Sequence, residues 1–384
     1  MVKVVRAYRL PSRNVATNMY ILHTNSGHAV YSSEGKRLSR YYPDQQQAAN
    51  RLVEIVNANK NHSHLIANAS IVPTSLEKDP TRESGNRRRA KAELTRRLNE
   101  AQKQIMPLIE AIPVERIEVK KVKFVYSMDE ARLENLFNEI AAIINLWLQT
   151  QRQTGRPARW FFGQYIEEAY GKGTLESSTR IKGLYESVTG ELMTALDYQR
   201  IITSEPYKRR LDLIYARTFE GMVGFSGEAS SSLARILTTG MIEGLNPREM
   251  ARNIRKEFKD IKGYRAMRVV RTEINNAHTQ AKAEQQIDAR DRLGIDVRTM
   301  HVSALVPNTR ASHAQRHGKL YTPEQQQAWW SEGSNRINCL CSTLEIVFLD
   351  GKMMQKDLVD KVRERGDIYF EQNPKKARST QRTG

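Results

Sequence analysis

The fold of this chain is decided by three short stretches: RTEINN at residues 271–276, RASH at 310–313 and NCLC at 338–341. The first lies in a segment, 264–292, whose apolar and small residues recur at helical spacing, and Gly294 stands where a left-handed cap would end the helix. Residues 295–303 alternate as in a strand, and 341–348 form a run rich in β-forming residues. The sequence therefore predicts a long helix followed by a small α+β unit.

The region before this segment carries a helical pattern almost throughout. Apolar residues recur at helical spacing in 87–112, 127–148, 159–170, 186–202, 206–223 and 228–241. Asn246 followed by Pro247 is a strong start signal for one more helix. We therefore expect a fold that is mainly α, with a small α+β core near the C-terminus.

The first 62 residues predict a small ββα module. Strand-like runs at 17–23 and 29–32 surround the turn signal Asn25-Ser26-Gly27, and Pro43 begins a helical pattern. The predicted organisation is this module at 1–62, a linker and basic helix at 63–125, a helical domain at 126–262, the α+β core at 263–350 and a basic tail at 351–384.

The composition and net charge indicate which partners and which cellular compartment to expect. The net charge of +18 makes nucleic acid the default partner. No apolar run is long enough to cross a membrane, and no secretory signal is visible, which predicts synthesis in a cytoplasm. The expected non-specific contacts to DNA phosphates lie in the basic helix and the tail, and the alternative is that the helix presents only a solvated face. These residues are Arg87, Arg88, Arg89, Lys91, Arg96, Arg97, Lys375, Lys376, Arg378 and Arg382.

The two cysteines of the chain are Cys339 and Cys341. A disulfide between them would be strained, because one residue separates them. If His313 and His317 lie four residues apart on one helix face, the four side chains form a candidate Cys₂His₂ zinc set. The alternative needs no cofactor: a buried thiol pair hydrogen-bonded to His313.

The order of the three stretches resembles the phage head morphogenesis family, the minor head proteins typified by the F protein of phage Mu. The family's helix motif, its R-x-x-H turn with a following Gly and its closing C-x-C are matched in order, although Leu340 replaces the usual Arg between the cysteines. The matching residues are Arg271, Thr272, Glu273, Asn276, Arg310, His313, Gly318, Cys339 and Cys341.

The resemblance implies a non-enzymatic protein inside the capsid of a tailed phage, near the portal vertex, after assembly in the host cytoplasm. The implied partners are the portal protein, double-stranded DNA, and the major capsid or scaffolding protein, with no membrane involved during assembly. The implied roles are head assembly and DNA packaging or ejection. Two alternatives remain open: a zinc-dependent hydrolase or toxin-like enzyme delivered with the genome, and a free DNA-binding accessory protein of packaging.

Within the shared motif, Glu273 and Arg310 have no obvious local partners. We expect a bidentate ion pair between them that ties the long helix to the turn, and the alternative is a catalytic carboxylate at Glu273. The sequence contains no G-x-x-x-x-G-K-[ST] loop and no H-E-x-x-H motif, so it predicts neither a packaging ATPase nor a zincin.

Overall fold

A computed structural model describes residues 20–24, 27–31, 79–119, 121–149 and 158–378. Two strands, β1 (Tyr20–Thr24) and β2 (Gly27–Tyr31), pair in antiparallel register near the N-terminus. The helix predicted from Pro43 lies outside the described residues, as does Arg382. The ββα module therefore stays a prediction.

The bulk of the described chain is helical, as the sequence predicts. The elements before the long motif helix are α1 (Ser84–Glu110), β3 (Val114–Val119), β4 (Lys121–Tyr126), α2 (Glu130–Gln149), α3 (Glu167–Thr189), α4 (Tyr198–Thr203), α5 (Glu205–Glu243) and α6 (Pro247–Asp260). A helical turn, Arg159–Phe161, and a π-helical turn, Phe162–Ile166, lead directly into α3. None of the helices in these ranges or in the rest of the described chain is long and apolar enough to cross a membrane.

The C-terminal unit combines this helical layer with a sheet. Its elements are α7 (Ala266–Leu293), β5 (Asp296–Val302), α8 (Ala311–Gln315), β6 (Leu320–Tyr321), α9 (Pro323–Ser331), β7 (Ser342–Leu349), β8 (Lys352–Met353), α10 (Lys356–Gln372) and α11 (Pro374–Arg378). The strands are antiparallel in the order β6-β5-β7-β8. Gly294 ends α7 in the left-handed conformation, as predicted.

The helical core is centred on α7, which packs against α1, α3 and α5. Helices α3 and α7 approach closely at Gly173: a β-carbon there would collide with the carbonyl oxygen of His278 and lie 3.0 Å from the β-carbon of Ala281. Only glycine allows backbones to come this close. Gly173 lies inside α3 and sets the spacing between the two helices.

Helix α5 joins two segments that the sequence pattern separates. The predictions of 206–223 and 228–241 as two helices are wrong, since one helix runs from Glu205 to Glu243. Gly224 and Gly227 face open space, whereas Phe225 and Ser226 between them are buried. Burial of Phe225 and Ser226 stabilises the helix across the two glycines. Each glycine lowers the intrinsic stability of a helix by about 1 kcal/mol relative to alanine.

The sheet is covered on both faces. Met300, Leu344 and Ile346 point towards Leu358 and Val362 of α10, while residues of opposite parity pack towards α3 and α7. Residues 342–347 of β7 are buried on both faces as a result, including the polar side chains of Ser342, Thr343 and Glu345. The prediction of a basic tail at 351–384 is wrong for residues 356–372, because the apolar face of α10 completes this second core.

The sequence predictions also missed the β3–β4 hairpin. Its backbone meets the turn after α5, where the N–H of Phe124 donates to the carbonyl of Gly244 at 3.2 Å. The hydroxyl of Tyr126 donates to the carbonyl of Leu245 at 2.7 Å. The hairpin is therefore hydrogen-bonded to the turn between α5 and α6.

Candidate functional site

Polar residues of the first stretch, which lies on α7, hold the loop that contains the third stretch. Arg271 donates to the Asn338 side chain at 3.0 Å, and the N–H of Asn338 donates to Oγ1 of Thr272 at 2.9 Å. Asn275 donates from Nδ2 to the carbonyl of Cys339 at 2.5 Å. Asn338 has a φ of 55°, a conformation that asparagine tolerates better than most residues. Three polar side chains of one helix thus fix the backbone that carries both cysteines.

Arg310, which directly precedes α8, holds the same loop. Its guanidinium donates to the carbonyls of Ser334 at 2.6 Å, Asn335 at 2.8 Å and Ile337 at 3.1 Å. The predicted ion pair between Arg310 and Glu273 is therefore wrong. The loop offers three outward-facing carbonyl oxygens, and a guanidinium with five N–H donors satisfies them together.

Glu273 instead points into the helical core. Its carboxylate lies 3.9 Å from the guanidinium of Arg217 and packs on Gly221. Burial raises the pKa of Glu273, and Arg217 and Arg336 oppose this only in part. Among the described residues, its Oε2 has no hydrogen-bond partner.

His313 lies within hydrogen-bonding distance of both thiols. Its Nδ1 is 3.3 Å from Sγ of Cys341 and 3.4 Å from Sγ of Cys339. All three side chains are buried. The hydrogen bond between the thiols lowers the pKa of Cys339, with help from His313, and raises that of Cys341.

His317 does not join this cluster. Helix α8 ends at Gln315, so His317 lies in the following turn rather than one helical turn above His313. Its Nδ1 accepts the N–H of Ser303 at 3.0 Å, and its ring packs on Gly366 of α10. Burial lowers the pKa of His317 to about 4.

His301 takes the position that His317 was expected to fill. It lies on β5 and is completely buried, and its ring centroid is 6.3 Å from that of His313. One ligand atom each of His301, His313 and Cys341 lies within 4.8 Å of the others. No spacing in the sequence marks His301; in the structure it shares a strand face with Thr299, which meets Gln286 of α7.

Two tryptophans cover the cluster. The ring of Trp329 is 4.8 Å from His313 and 5.3 Å from His301, and the Trp330 ring is 5.8 Å from His301. Arg316 stacks over Trp329 at 4.3 Å. Burial, together with nearby Arg316 and His313, lowers the pKa of His301 well below its ordinary value. The ring is neutral as a result.

Two further motif residues are Gly318 and Asn276. Gly318 has a φ of 73°, and a β-carbon there would lie 2.7 Å from the side chain of Arg363. Its N–H donates to the carbonyl of His301 at 2.9 Å, so the residue fixes the chain between α8 and β6. Asn276 is buried on α7.

A half-open cavity of about 280 Å³ lies beside the cluster. The motif supplies much of its wall, including both arginines, His313 and both cysteines. The lining residues are Tyr264, Arg271, Ala304, Val306, Asn308, Thr309, Arg310, His313, Ser334, Ile337, Asn338, Cys339, Leu340 and Cys341. The cluster is thus buried but borders a space that solvent can enter.

Two of the predicted DNA contacts are structural. Arg87 is 6% exposed, forms an ion pair with Asp79 at 2.7 Å and donates to Asn275 at 2.8 Å. Arg97 is half-buried, donates to the carbonyl of Trp147 at 2.9 Å and stacks over Trp160. Both lie on the side of α1 that faces the core, so the prediction that they contact DNA is wrong.

The remaining side chains that were predicted to contact DNA differ in how exposed they are to solvent. Arg88, Arg89 and Arg96 are exposed, and Lys91 is half-buried. Lys375 is exposed, but Lys376 donates to the carbonyls of Pro307 at 2.5 Å and Thr309 at 2.7 Å and therefore secures a turn. Arg378 ends α11, and its side chain is outside the described part of the structure.

A basic surface that the sequence predictions missed lies on α6. Five of its basic side chains are exposed: Arg248, Arg252, Arg255, Lys256 and Lys259. Its buried residues Met250, Ile254 and Phe258 hold the opposite face against the core. Helical spacing could have separated these two faces, since they repeat every three to four residues. We call these five residues the α6 basic face.

Comparison with known proteins agrees with the motif order. Residues 232–344 match the family model described as Phage Mu protein F like protein, and this range contains all three stretches. The resemblance to the phage head morphogenesis family is thereby confirmed.

One curated relative is an uncharacterized protein of Methanocaldococcus jannaschii, 24% identical over 119 residues, which are 31% of this chain and 18% of that protein. The chain therefore spans less than a fifth of that relative's length. No solved structure matches the chain.

Proposed function

We propose, from a segment that matches the phage Mu protein F-like family, that this chain is a minor head protein of a tailed bacteriophage. The family match points to a phage head morphogenesis protein. In our proposal the chain is a virion component inside the capsid, near the portal vertex. It meets the portal protein and the capsid or scaffolding protein during assembly in the host cytoplasm.

One observation supports the structural role: four side chains from the first and second stretches hold one loop. Arg271, Thr272 and Asn275 bind residues 338–339, and Arg310 binds the carbonyls of 334–337. Side chains used in this way build a rigid surface, whereas a catalytic group must reach a substrate. This supports a protein that acts by presenting a fixed shape to partners.

The proposal includes non-specific DNA binding during packaging or ejection. The net charge of +18 supports it, and the exposed α6 basic face together with Arg88 and Arg89 supplies side chains for phosphate contacts. Because each phosphate contact releases counterions, the affinity should fall steeply as salt rises.

The rival function, an enzyme delivered with the genome, also has an observation in its favour. Cys339 has a lowered pKa, lies next to His313 and borders a cavity. A lowered pKa and a neighbouring histidine are features of nucleophilic thiols. The two functions predict different defects in a phage that lacks the gene.

The test is a phage that carries a stop codon early in the gene, grown with and without a complementing copy. Our proposal predicts fewer or aberrant heads by electron microscopy and a loss of infectious titre, both restored by complementation. A normal yield of filled heads that fail only after DNA delivery would overturn the head role and favour the enzyme.

A further inference from the structure

The interior around His301 and His313 contains polar atoms that the described protein atoms leave unsatisfied. Neither ring nitrogen of His301 makes a hydrogen bond to a described residue. The side chain of Gln326 is near enough to raise the pKa of His301, against the larger effect of burial. Unpaired buried polar groups are uncommon in folded proteins, and an ion or a water molecule is a standard explanation. His301 is 0% exposed and His313 is 2% exposed.

The neighbouring donors have the chemistry of a transition-metal site. Two imidazoles and two thiols form an N₂S₂ set, which suits tetrahedral zinc. Zn–N bonds of roughly 2.0 Å and Zn–S bonds of roughly 2.3 Å place nitrogen and sulfur ligands about 3.5 Å apart across a tetrahedron. The distances from Nδ1 of His313 to the two sulfurs are 3.3 and 3.4 Å, so each nitrogen–sulfur pair already has nearly the spacing of two ligands of such a site.

The fourth ligand comes from the sheet. His301, His313 and Cys341 place one ligand atom each within 4.8 Å of the others. Cys339 is not in this group of three, so its Sγ must move closer for all four ligands to reach the tetrahedral spacing above. Strand β5 fixes His301, α8 fixes His313, and the loop held by Arg271 and Asn275 fixes the cysteines. Each ligand thus comes from an element that the motif already restrains.

We propose that His301, His313, Cys339 and Cys341 bind one zinc ion that locks the 338–341 loop to the sheet and to α8. With four protein ligands the metal has no open position, so its role is structural and not catalytic. This inference goes beyond the proposed function and replaces His317 by His301 in the predicted ligand set.

The test is made on the full-length chain. Zinc is measured by mass spectrometry of the metal in purified wild-type protein and in Cys341→Ser, His301→Gln and His317→Gln. We expect about one zinc per chain in the wild type and in His317→Gln, and at least a tenfold loss in the other two, since each removes a ligand. His317→Gln is the matched control because it changes a neighbouring buried histidine outside the ligand set.

A second measurement does not depend on the variants folding. Wild-type protein is unfolded in denaturant that contains a chelator, and it is then refolded with Co²⁺ as the only added metal. We expect thiolate-to-cobalt charge-transfer absorption together with the intense visible bands of tetrahedral cobalt. Folded wild-type protein that holds less than about a tenth of an equivalent of zinc and gives no such bands would overturn the proposal. Loss of metal in His317→Gln with retention in His301→Gln would also overturn it.

Discussion

At the scale of single residues, Gly173 tests the packing of α3 on α7. In Gly173→Ala the added methyl group would collide with the His278 carbonyl and crowd Ala281. Because the backbone of α7 cannot yield without moving the core, we expect the free energy of unfolding to fall by about 1–3 kcal/mol. Denaturant unfolding of the full chain measures it.

Gly224→Ala is the matched control, because Gly224 is also inside a helix but faces open space. It should raise the free energy of unfolding by about 0.5–1 kcal/mol through helix propensity alone. Equal effects of the two substitutions would contradict the close approach of the helices.

Glu273 gives the protein a pH dependence. Its pKa is raised by burial, so the folded state binds this proton more tightly than the unfolded state does. The carboxyl then costs no stability below the unfolded pKa, about 4.3, and destabilises the fold increasingly as pH rises through its folded pKa.

Glu273→Gln removes that ionisation. The variant should match the wild type below about pH 4 and become more stable than it as pH rises towards neutrality. Free energies of unfolding measured across this range test the difference, and Glu284, whose pKa is also raised, is common to both proteins. A variant that is less stable at neutral pH would show that the ion pair with Arg217 outweighs burial.

The sequence shows which residues meet, but only partly how they meet. The sequence predicted a contact between His313 and the two cysteines, and the structure contains it. The sequence could not predict that Arg310 would bind backbone carbonyls. Every residue has a backbone carbonyl, so residue identity does not show which carbonyls accept a hydrogen bond. His301 was missed for a related reason: a buried histidine in a strand carries no spacing signature.

At the scale of elements, α10 tests whether the C-terminal segment belongs to the fold. Leu358 is buried against Met300, Leu344 and Ile346. Leu358→Ala should lower the free energy of unfolding by about 2–5 kcal/mol, because it leaves a cavity between helix and sheet. A thermal or denaturant unfolding curve would measure the change.

Ile368→Ala is the control on the same helix, since Ile368 is 44% exposed. Its effect should stay within about 0.5 kcal/mol. A negligible effect of Leu358→Ala would restore the prediction of a tail that contributes nothing to the core.

Most helices and strands could be predicted from periodicity and caps, as α6, α7, β5 and β7 illustrate. The failures occurred where tertiary contacts override local signals. Helix α5 continues across two glycines because Phe225 and Ser226 between them are buried. Helix α10 has many charged residues, but its apolar face packs on the sheet. The β3–β4 hairpin was missed although its residues alternate.

At the scale of the whole molecule, the α6 basic face tests the meaning of the net charge. We expect the combined Arg248→Glu, Arg252→Glu and Lys256→Glu variant to bind duplex DNA more weakly, whatever the DNA sequence. The slope of log affinity against log salt should become shallower by roughly one unit for each DNA phosphate that the variant no longer neutralises. Fluorescence anisotropy over a salt series measures both quantities.

The control makes the same charge change on α10 and the adjoining strand, through Lys352→Glu, Lys356→Glu and Lys361→Glu. These lysines are exposed, and acidic residues of α10 lie close to them in sequence. If both triple variants lose the same affinity, only the net charge matters and the α6 basic face has no special role. A salt response that is flat in the wild type would contradict DNA binding through phosphates.

The central claim is that this chain is a head component recruited through protein contacts. Its most direct test is quantitative mass spectrometry of purified virions beside DNA-free procapsids of the phage that encodes the chain. Our account predicts a low and equal copy number per particle in both, because recruitment precedes DNA entry. Absence from both would contradict the claim, and presence in virions alone would show that DNA, rather than the portal or shell, brings the protein in.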